Sequence, residues 1–191
     1  MNIRVTPAAA EVLEPTDLKF RVWMLESSLF FPDDRKPICL HEAAHVIYSR
    51  RLGHEPGFYG PSIDYDPERN KIRLIRAAVD QLPYELLMNA DPVAVAKHYL
   101  GPMYVEQRLL GNRTQAESWK LSTIDRRNFK KWFVHRVGTD RMSYRKLRVD
   151  ARESTYRDCR SPAFRRKLWD AAREFEQKVF GPETSTQQKA A

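Results

Sequence analysis

Residues 38–47 read Ile-Cys-Leu-His-Glu-Ala-Ala-His-Val-Ile and contain the pattern His-Glu-x-x-His at His41, Glu42 and His45. On an α-helix, His41 and His45 lie one turn apart on the same face, so both imidazoles can reach one metal ion. Glu42 then lies beside the remaining coordination position. In zinc sites of this kind the ion lowers the pKa of a water molecule from about 15.7 to about 7, and a neighbouring carboxylate removes its proton. The pattern predicts a hydrolytic zinc site, and the alternative is a chance match on a purely structural helix.

The residues around the motif favour a helix from about residue 34 to residue 52. Pro37 suits a first helical turn, Asp33 or Asp34 can cap it, and Gly53 follows where a C-terminal glycine commonly ends a helix. An apolar face is supplied by Cys39, Ala43, Val46 and Ile47. Cys39 lies on a different face from His41, so we expect it to be a small buried residue and not a ligand.

Two histidines leave one protein ligand to be found, because a catalytic zinc ion usually takes three side chains and keeps its fourth position open. No histidine follows at a short metzincin spacing. The acidic candidates are Glu106, in a stretch that begins Leu100-Gly101, and Asp125. Spacing alone does not choose between them.

Several features of residues 36–135 occur together in a recognisable order. The His-Glu-x-x-His motif is followed by a predicted hairpin, then by a helix with the pattern Leu-Gly-x-x-x-x-Glu and a glycine five residues later, and then by Asp125 near the start of another helix. This order resembles the peptidase domain of the FtsH family of ATP-dependent zinc proteases. The chain departs from the family pattern at Ala44, Pro102 and Val105, and its stretch from residue 111 to residue 125 is longer.

The resemblance implies one Zn²⁺ held by His41, His45 and Asp125, with Glu42 as the catalytic base. It implies a supporting role for Glu106, whose carboxylate would orient a ligand. The residues alone leave Asp125 another explanation, because Ser122 and Asp125 have the spacing of a capping box at a helix N-terminus. Glu106 alone would equally suit an ordinary helical glutamate.

The function implied by the resemblance is that of a zinc metallopeptidase, a hydrolase that cleaves peptide bonds of a peptide or protein substrate. No stretch reads Gly-x-x-x-x-Gly-Lys-[Ser/Thr], so we expect a stand-alone enzyme without an ATPase module.

The pattern of turns and apolar residues predicts an α+β fold, a mostly helical zincin-like domain with a small hairpin beside the motif helix. The hairpin strands are residues 57–65 and 71–76 around the turn signal Asp66-Pro67, and they form the expected substrate edge or simply pack the helix. The predicted parts are an N-terminal segment (1–29), the zincin-like domain (30–138), a basic helical extension (139–181) and a disordered tail (182–191). Residues 1–14 look loosely ordered or strand-like, and residues 17–29 suit a helix or a strand.

Two later helices have clear start signals. Asp91-Pro92 provides a cap and a proline at the first helical position, and Pro102 is expected to bend or restart that helix. Ser161-Pro162 starts the final helix, which carries an apolar stripe of Phe164, Leu168, Ala171, Ala172, Phe175 and Val179. His98 is expected to be a packing or surface residue, and His54 and His135 have no partner spacing that indicates a metal.

The positive charge is concentrated in the last third of the chain. Residues 126–180 contain 17 Lys or Arg and 7 Asp or Glu, a net charge of +10, whereas the whole chain has +8. This leads to an alternative function, a catalytically silent zincin scaffold that binds nucleic acid or an acidic partner through its C-terminal helices. A solvated helix surface would have the same composition.

The remaining composition argues against a membrane-spanning protein and against a disulfide-rich one. Hydrophobic residues make up 42% of the 191, enough for one core, but no apolar run approaches the ~18 residues that span a bilayer. Without an apolar signal core at the N-terminus, we expect a cytoplasmic location. The two cysteines, Cys39 and Cys159, are too few for a disulfide framework.

Overall fold

The computed structural model describes residues 3–29, 32–111 and 122–181, and of residues 32–34 only the backbone. Within these ranges the helices are α1 Pro7–Val12, α2 Pro15–Ser27, α3 Pro32–Arg51, α4 Tyr84–Asn89, α5 Pro92–Leu109, α6 Thr123–Arg136, α7 Arg141–Arg160 and α8 Pro162–Phe180. The strands are β1 Arg4–Val5, β2 Phe58–Tyr59, β3 Ser62–Asp66, β4 Lys71–Ile75 and β5 Ala78–Val79. The predicted α+β class is confirmed. None of the described helices has both the length and the apolar sequence needed to cross a bilayer.

The N-terminal segment is more regular than its sequence indicated. β1 pairs in parallel with β3, and Thr6 caps α1 by accepting a hydrogen bond from the backbone N–H of Ala9. The open choice for residues 17–29 is decided in favour of a helix, because Pro15 lies at the first turn of α2.

The motif helix α3 begins two residues earlier than expected, at Pro32. Pro37 therefore lies inside the helix and not in its first turn. The predicted apolar face is confirmed, since Cys39, Ala43, Val46 and Ile47 are all buried. They pack with Phe164, Leu168, Ala171 and Phe175 of α8 in one hydrophobic cluster.

The predicted hairpin is confirmed, with a change in its first strand. β3 and β4 pair antiparallel, with Ile63 opposite Leu74, and a turn over residues 67–70 joins them. The stretch expected as one strand is divided by Gly60 and Pro61, and its first part, β2, pairs with β5 instead. Two small sheets result, with orders β1-β3-β4 and β2-β5.

α5 starts as predicted and does not restart at Pro102. The Asp91 side chain accepts a hydrogen bond from the N–H of Ala94, and the helix continues through Pro102 to Leu109. Every residue from Val95 to Glu106 is buried. Burial on all sides supplies packing energy that compensates for the one backbone hydrogen bond that a proline removes.

The helices after residue 138 pack directly on the rest of the chain. α7 lies against α5, and α8 lies against α3. The predicted stripe of α8 is buried apart from half-buried Val179, and the Ser161 side chain caps this helix. The proposed domain boundary stays a prediction, and residues 182–191 lie outside the described residues.

The alternative explanation of Ser122 and Asp125 as a capping box at the start of α6 is wrong. Ser122 precedes the helix, but its hydroxyl caps no backbone N–H and is buried without a hydrogen-bond partner among the described residues. The carboxylate of Asp125 faces two histidine rings instead.

Close contact between α3 and α5 depends on Gly101. A Cβ atom at this position would lie 2.9 Å from Cδ2 of Tyr48, and closer still to Cε2 of the same ring. Gly101→Ala should therefore lower the free energy of unfolding by about 1–3 kcal/mol, because the ring is itself buried.

Urea unfolding followed by circular dichroism measures this effect. Gly60→Ala is the matched control, because a Cβ there would meet only the carbonyl oxygen of Val179, at 4.0 Å. Equal stability of the two variants would contradict the close contact.

Candidate metal centre

Two side chains of α3 and one of α6 converge at one place. His41 and His45 lie one turn apart, and their Nε2 atoms are 3.2 Å from Oδ2 and 3.6 Å from Oδ1 of Asp125. Their ring centroids are 5.1 Å apart. The three donor atoms all lie within 4.8 Å of one another, close enough for a single metal ion to reach each of them. The structure thus brings together the three residues predicted as ligands.

Glu106 supports this group from α5. Its Oε1 lies 2.6 Å from Nδ1 of His41, and only 2% of the side chain is exposed. A carboxylate that accepts the hydrogen of Nδ1 leaves the lone pair of Nε2 to bind a metal, and it fixes the plane of the ring. This arrangement is commonly found behind metal-bound histidines. Glu106 therefore lies where it can orient His41, and not among the three donor atoms.

Glu42 points to the same space from the neighbouring position on α3. Its Oε2 accepts a hydrogen bond of 3.2 Å from the backbone N–H of Val79 in β5. Burial raises the pKa of the Glu42 carboxyl above its ordinary value. A raised pKa makes the carboxylate a stronger base than that of an exposed glutamate, which suits a general base.

The electrostatics around His41 favour a cation. Burial alone would lower the pKa of His41, but its hydrogen bonds to Asp125 and Glu106 outweigh burial and raise it well above the usual value. For Asp125, burial alone would raise the pKa of the carboxyl, yet the adjacent His45 and His41 hold that pKa far below its usual range. Asp125 is therefore ionised at neutral pH. The two carboxylates beside His41 thus favour positive charge at this place, which a bound divalent ion can also supply.

His98, expected to be a packing or surface residue, is a packing residue beside the metal centre. It is buried on α5, with its ring centroid 5.1 Å from that of His45 and its Nδ1 3.3 Å from Oγ of Ser49. Burial and the neighbouring His45 hold the pKa of His98 well below its usual value, so the ring is neutral. His98 and Glu106 are about two turns apart on α5, and that spacing could have indicated a shared buried face.

The other candidate side chains lie apart from the centre. Cys39 is buried, as expected, and burial raises its pKa to about 12, which leaves an unreactive thiol. His135 makes a hydrogen bond with Tyr84 on the surface. Within the described part of the chain, the group of donor side chains that could hold a metal is His41, His45 and Asp125.

The centre opens into a cavity of about 770 Å³. Its walls include Met24 and Leu25 of α2, with Ser28 directly after that helix. They also include the segment from Arg73 to Gln81, which contains the end of β4 and all of β5. Such a volume is within the range of small-molecule and peptide sites.

The donor set fits zinc better than it fits a hard cation. Two imidazole nitrogens and one carboxylate give three protein ligands and leave a fourth position open, as in catalytic zinc sites. Calcium and magnesium prefer sites made of oxygen ligands alone.

No family model, curated protein or solved structure matches this chain. The likeness to the FtsH peptidase domain therefore depends on the motif residues and their placement.

Glu106→Gln tests the orienting role of the buried carboxylate. We expect zinc affinity to fall by about 10- to 100-fold, because an amide holds the His41 ring less firmly and makes it a weaker donor. Competition with a chromophoric chelator measures this affinity. Glu85→Gln, on the exposed side of α4, is the control. Unchanged affinity in Glu106→Gln would show that Glu106 only fills the core.

Proposed function

We propose that this chain is a zinc-dependent hydrolase that cleaves peptide bonds. The observation that carries the proposal is the convergence of His41, His45 and Asp125 in a cavity, with Glu106 behind one histidine and Glu42 beside the donor atoms. A structural zinc site would instead be closed by four protein ligands.

The roles of the side chains follow from their positions. A bound zinc ion would supply Lewis acidity, which polarises a substrate carbonyl and makes water more acidic. His41, His45 and Asp125 would hold the ion, and Glu106 would keep His41 in its binding orientation. Glu42 would remove the proton from the attacking water and deliver it to the leaving amine. The hydrogen bond from Val79 keeps the Glu42 carboxylate turned toward this space.

A peptide substrate is supported by the free edge of β4. Arg4 and Thr6 donate backbone hydrogen bonds to the carbonyls of Pro61, just before β3, and Ile63 within it, so the backbone groups of these two residues face β1. The backbone N–H and C=O groups of the alternate residues of β3 then point to β4, where they form hydrogen bonds with the backbone of Arg73 and Ile75. The backbone N–H and C=O groups of Leu74 consequently point to the other edge of β4.

Leu74 also lines the cavity. Among the described residues, no further strand joins β4 on its outer side. An extended peptide could therefore add to this edge by main-chain hydrogen bonds and lie across the metal centre. This geometry favours a polypeptide over a small amide.

Glu42→Gln separates metal binding from catalysis. We expect this variant to keep one zinc per chain, because Glu42 is not a ligand, and to lose hydrolysis of casein by about 10²- to 10⁴-fold. His45→Ala should lose both metal and activity, and Asp125→Ala should bind zinc more weakly. Elemental mass spectrometry of the purified proteins and release of labelled peptides provide the two measurements.

Two controls complete this experiment. A chelator should abolish hydrolysis by the wild type, and added zinc should restore it. Wild-type protein without stoichiometric zinc, or Glu42→Gln with full activity, would contradict the proposed function.

A further inference from the structure

An exposed apolar face lies on α2, next to the cavity. Phe20, Trp23 and Met24 are 58%, 60% and 41% exposed and lie at helix positions i, i+3 and i+4, hence on one side of the helix. The rings of Phe20 and Trp23 stack with their centroids 5.9 Å apart. Large aromatic side chains together on a surface commonly mark a binding site.

The opposite side of α2 is anchored. Leu25 and Leu29 are buried in the same cluster as α3 and α8. The Nε–H of Arg35 donates a hydrogen bond of 2.5 Å to the carbonyl of Leu29, just beyond the helix. The C-terminal end of α2 is therefore tied to the core beside the cavity.

The aromatic face is continuous with the metal cavity. Met24 belongs both to this face and to the cavity wall, and Leu25 and Ser28 also line the cavity. A polypeptide that lies across the metal centre can thus place side chains on Trp23 and Phe20 without leaving the protein surface.

We infer that Phe20, Trp23 and Met24 form a subsite for large apolar side chains of the peptide substrate, on one side of the bond to be cleaved. The inference rests on the proposed function. It names the substrate class: extended polypeptide segments rich in Phe, Leu or similar residues. Folded proteins bury such segments, so the substrates are unfolded chains or exposed terminal segments.

The charges around α2 favour a polypeptide over a membrane surface. The acidic side chains Glu11, Glu14, Asp17 and Glu26 are exposed on or next to this helix, against Lys19 and half-buried Arg21. A helix that binds anionic lipid normally has a basic polar face.

Binding of peptides to the Glu42→Gln protein tests the inference without requiring turnover. The probes are two fluorescent peptides that differ only in carrying two Phe or two Ser residues, and fluorescence anisotropy gives their affinities for the zinc-loaded full chain. We expect the Phe peptide to bind about tenfold more tightly. Adding Phe20→Ala and Trp23→Ala should weaken binding of the Phe peptide about tenfold and leave that of the Ser peptide nearly unchanged.

Trp169→Ala is the matched control, because Trp169 is also an exposed tryptophan but lies on α8 and does not line the cavity. This variant should bind both peptides as the parent does. Zinc content and circular dichroism should be the same in every variant, since Phe20 and Trp23 are mostly exposed and Trp169 lies at the surface of α8.

Three results would overturn the inference: equal affinity for the two peptides, no binding of either, or an equal loss in Trp169→Ala. Trp23-dependent binding to vesicles of phosphatidylcholine and phosphatidylserine without any preference for the Phe peptide would also overturn it. Casein hydrolysis by the wild type separates the two proposals. Hydrolysis without apolar preference rejects the subsite alone, and apolar binding without hydrolysis rejects the proposed enzyme alone.

Discussion

The buried hydrogen bond between Glu106 and His41 fixes how α5 lies on α3. A carboxylate that is only 2% exposed needs a strong partner, because an unpaired charge in the core is costly. The Nδ1 atom of His41 supplies that partner, and its Nε2 is thereby turned toward Asp125 at the start of α6. Gly101, one helical turn before Val105 and Glu106, lets the two helices approach closely enough. The same contact therefore determines both how α5 packs on α3 and where the side chains of the centre lie.

Much of the site was predictable because its chemistry is local. His41, Glu42 and His45 lie within five residues, so helical periodicity alone places them together. Asp125 and Glu106 could be ranked only through a resemblance, since their approach to α3 depends on tertiary packing. The packing of His98 on His45 depends on the same tertiary contact. In the fold, the hairpin and the helix starts at Asp91 and Ser161 were correct, whereas the Ser122 cap was wrong and Pro102 was expected to bend or restart a helix that continues through it.

Under the proposed function, the two walls of the cavity would offer different interactions to a substrate. The backbone groups of β4 would bind any extended sequence, whereas the aromatic rings of α2 would discriminate between side chains. Affinity and selectivity would then come from separate elements. Contacts of the basic C-terminal helices with nucleic acid or an acidic partner, and a cytoplasmic location, stay predictions. The structure adds that the apolar sides of α7 and α8 are already covered by α5 and α3.

X-ray absorption spectroscopy at the zinc K-edge tests the metal centre most directly, because it reports the atoms that touch the ion. The account predicts two imidazole nitrogens at about 2.0–2.1 Å and carboxylate or water oxygens at about 2.0–2.2 Å, with no sulfur. Asp125→Ala should change the oxygen shell and leave both imidazoles. A sulfur shell near about 2.3 Å, which would implicate a cysteine, or a spectrum without imidazole scattering would contradict the account.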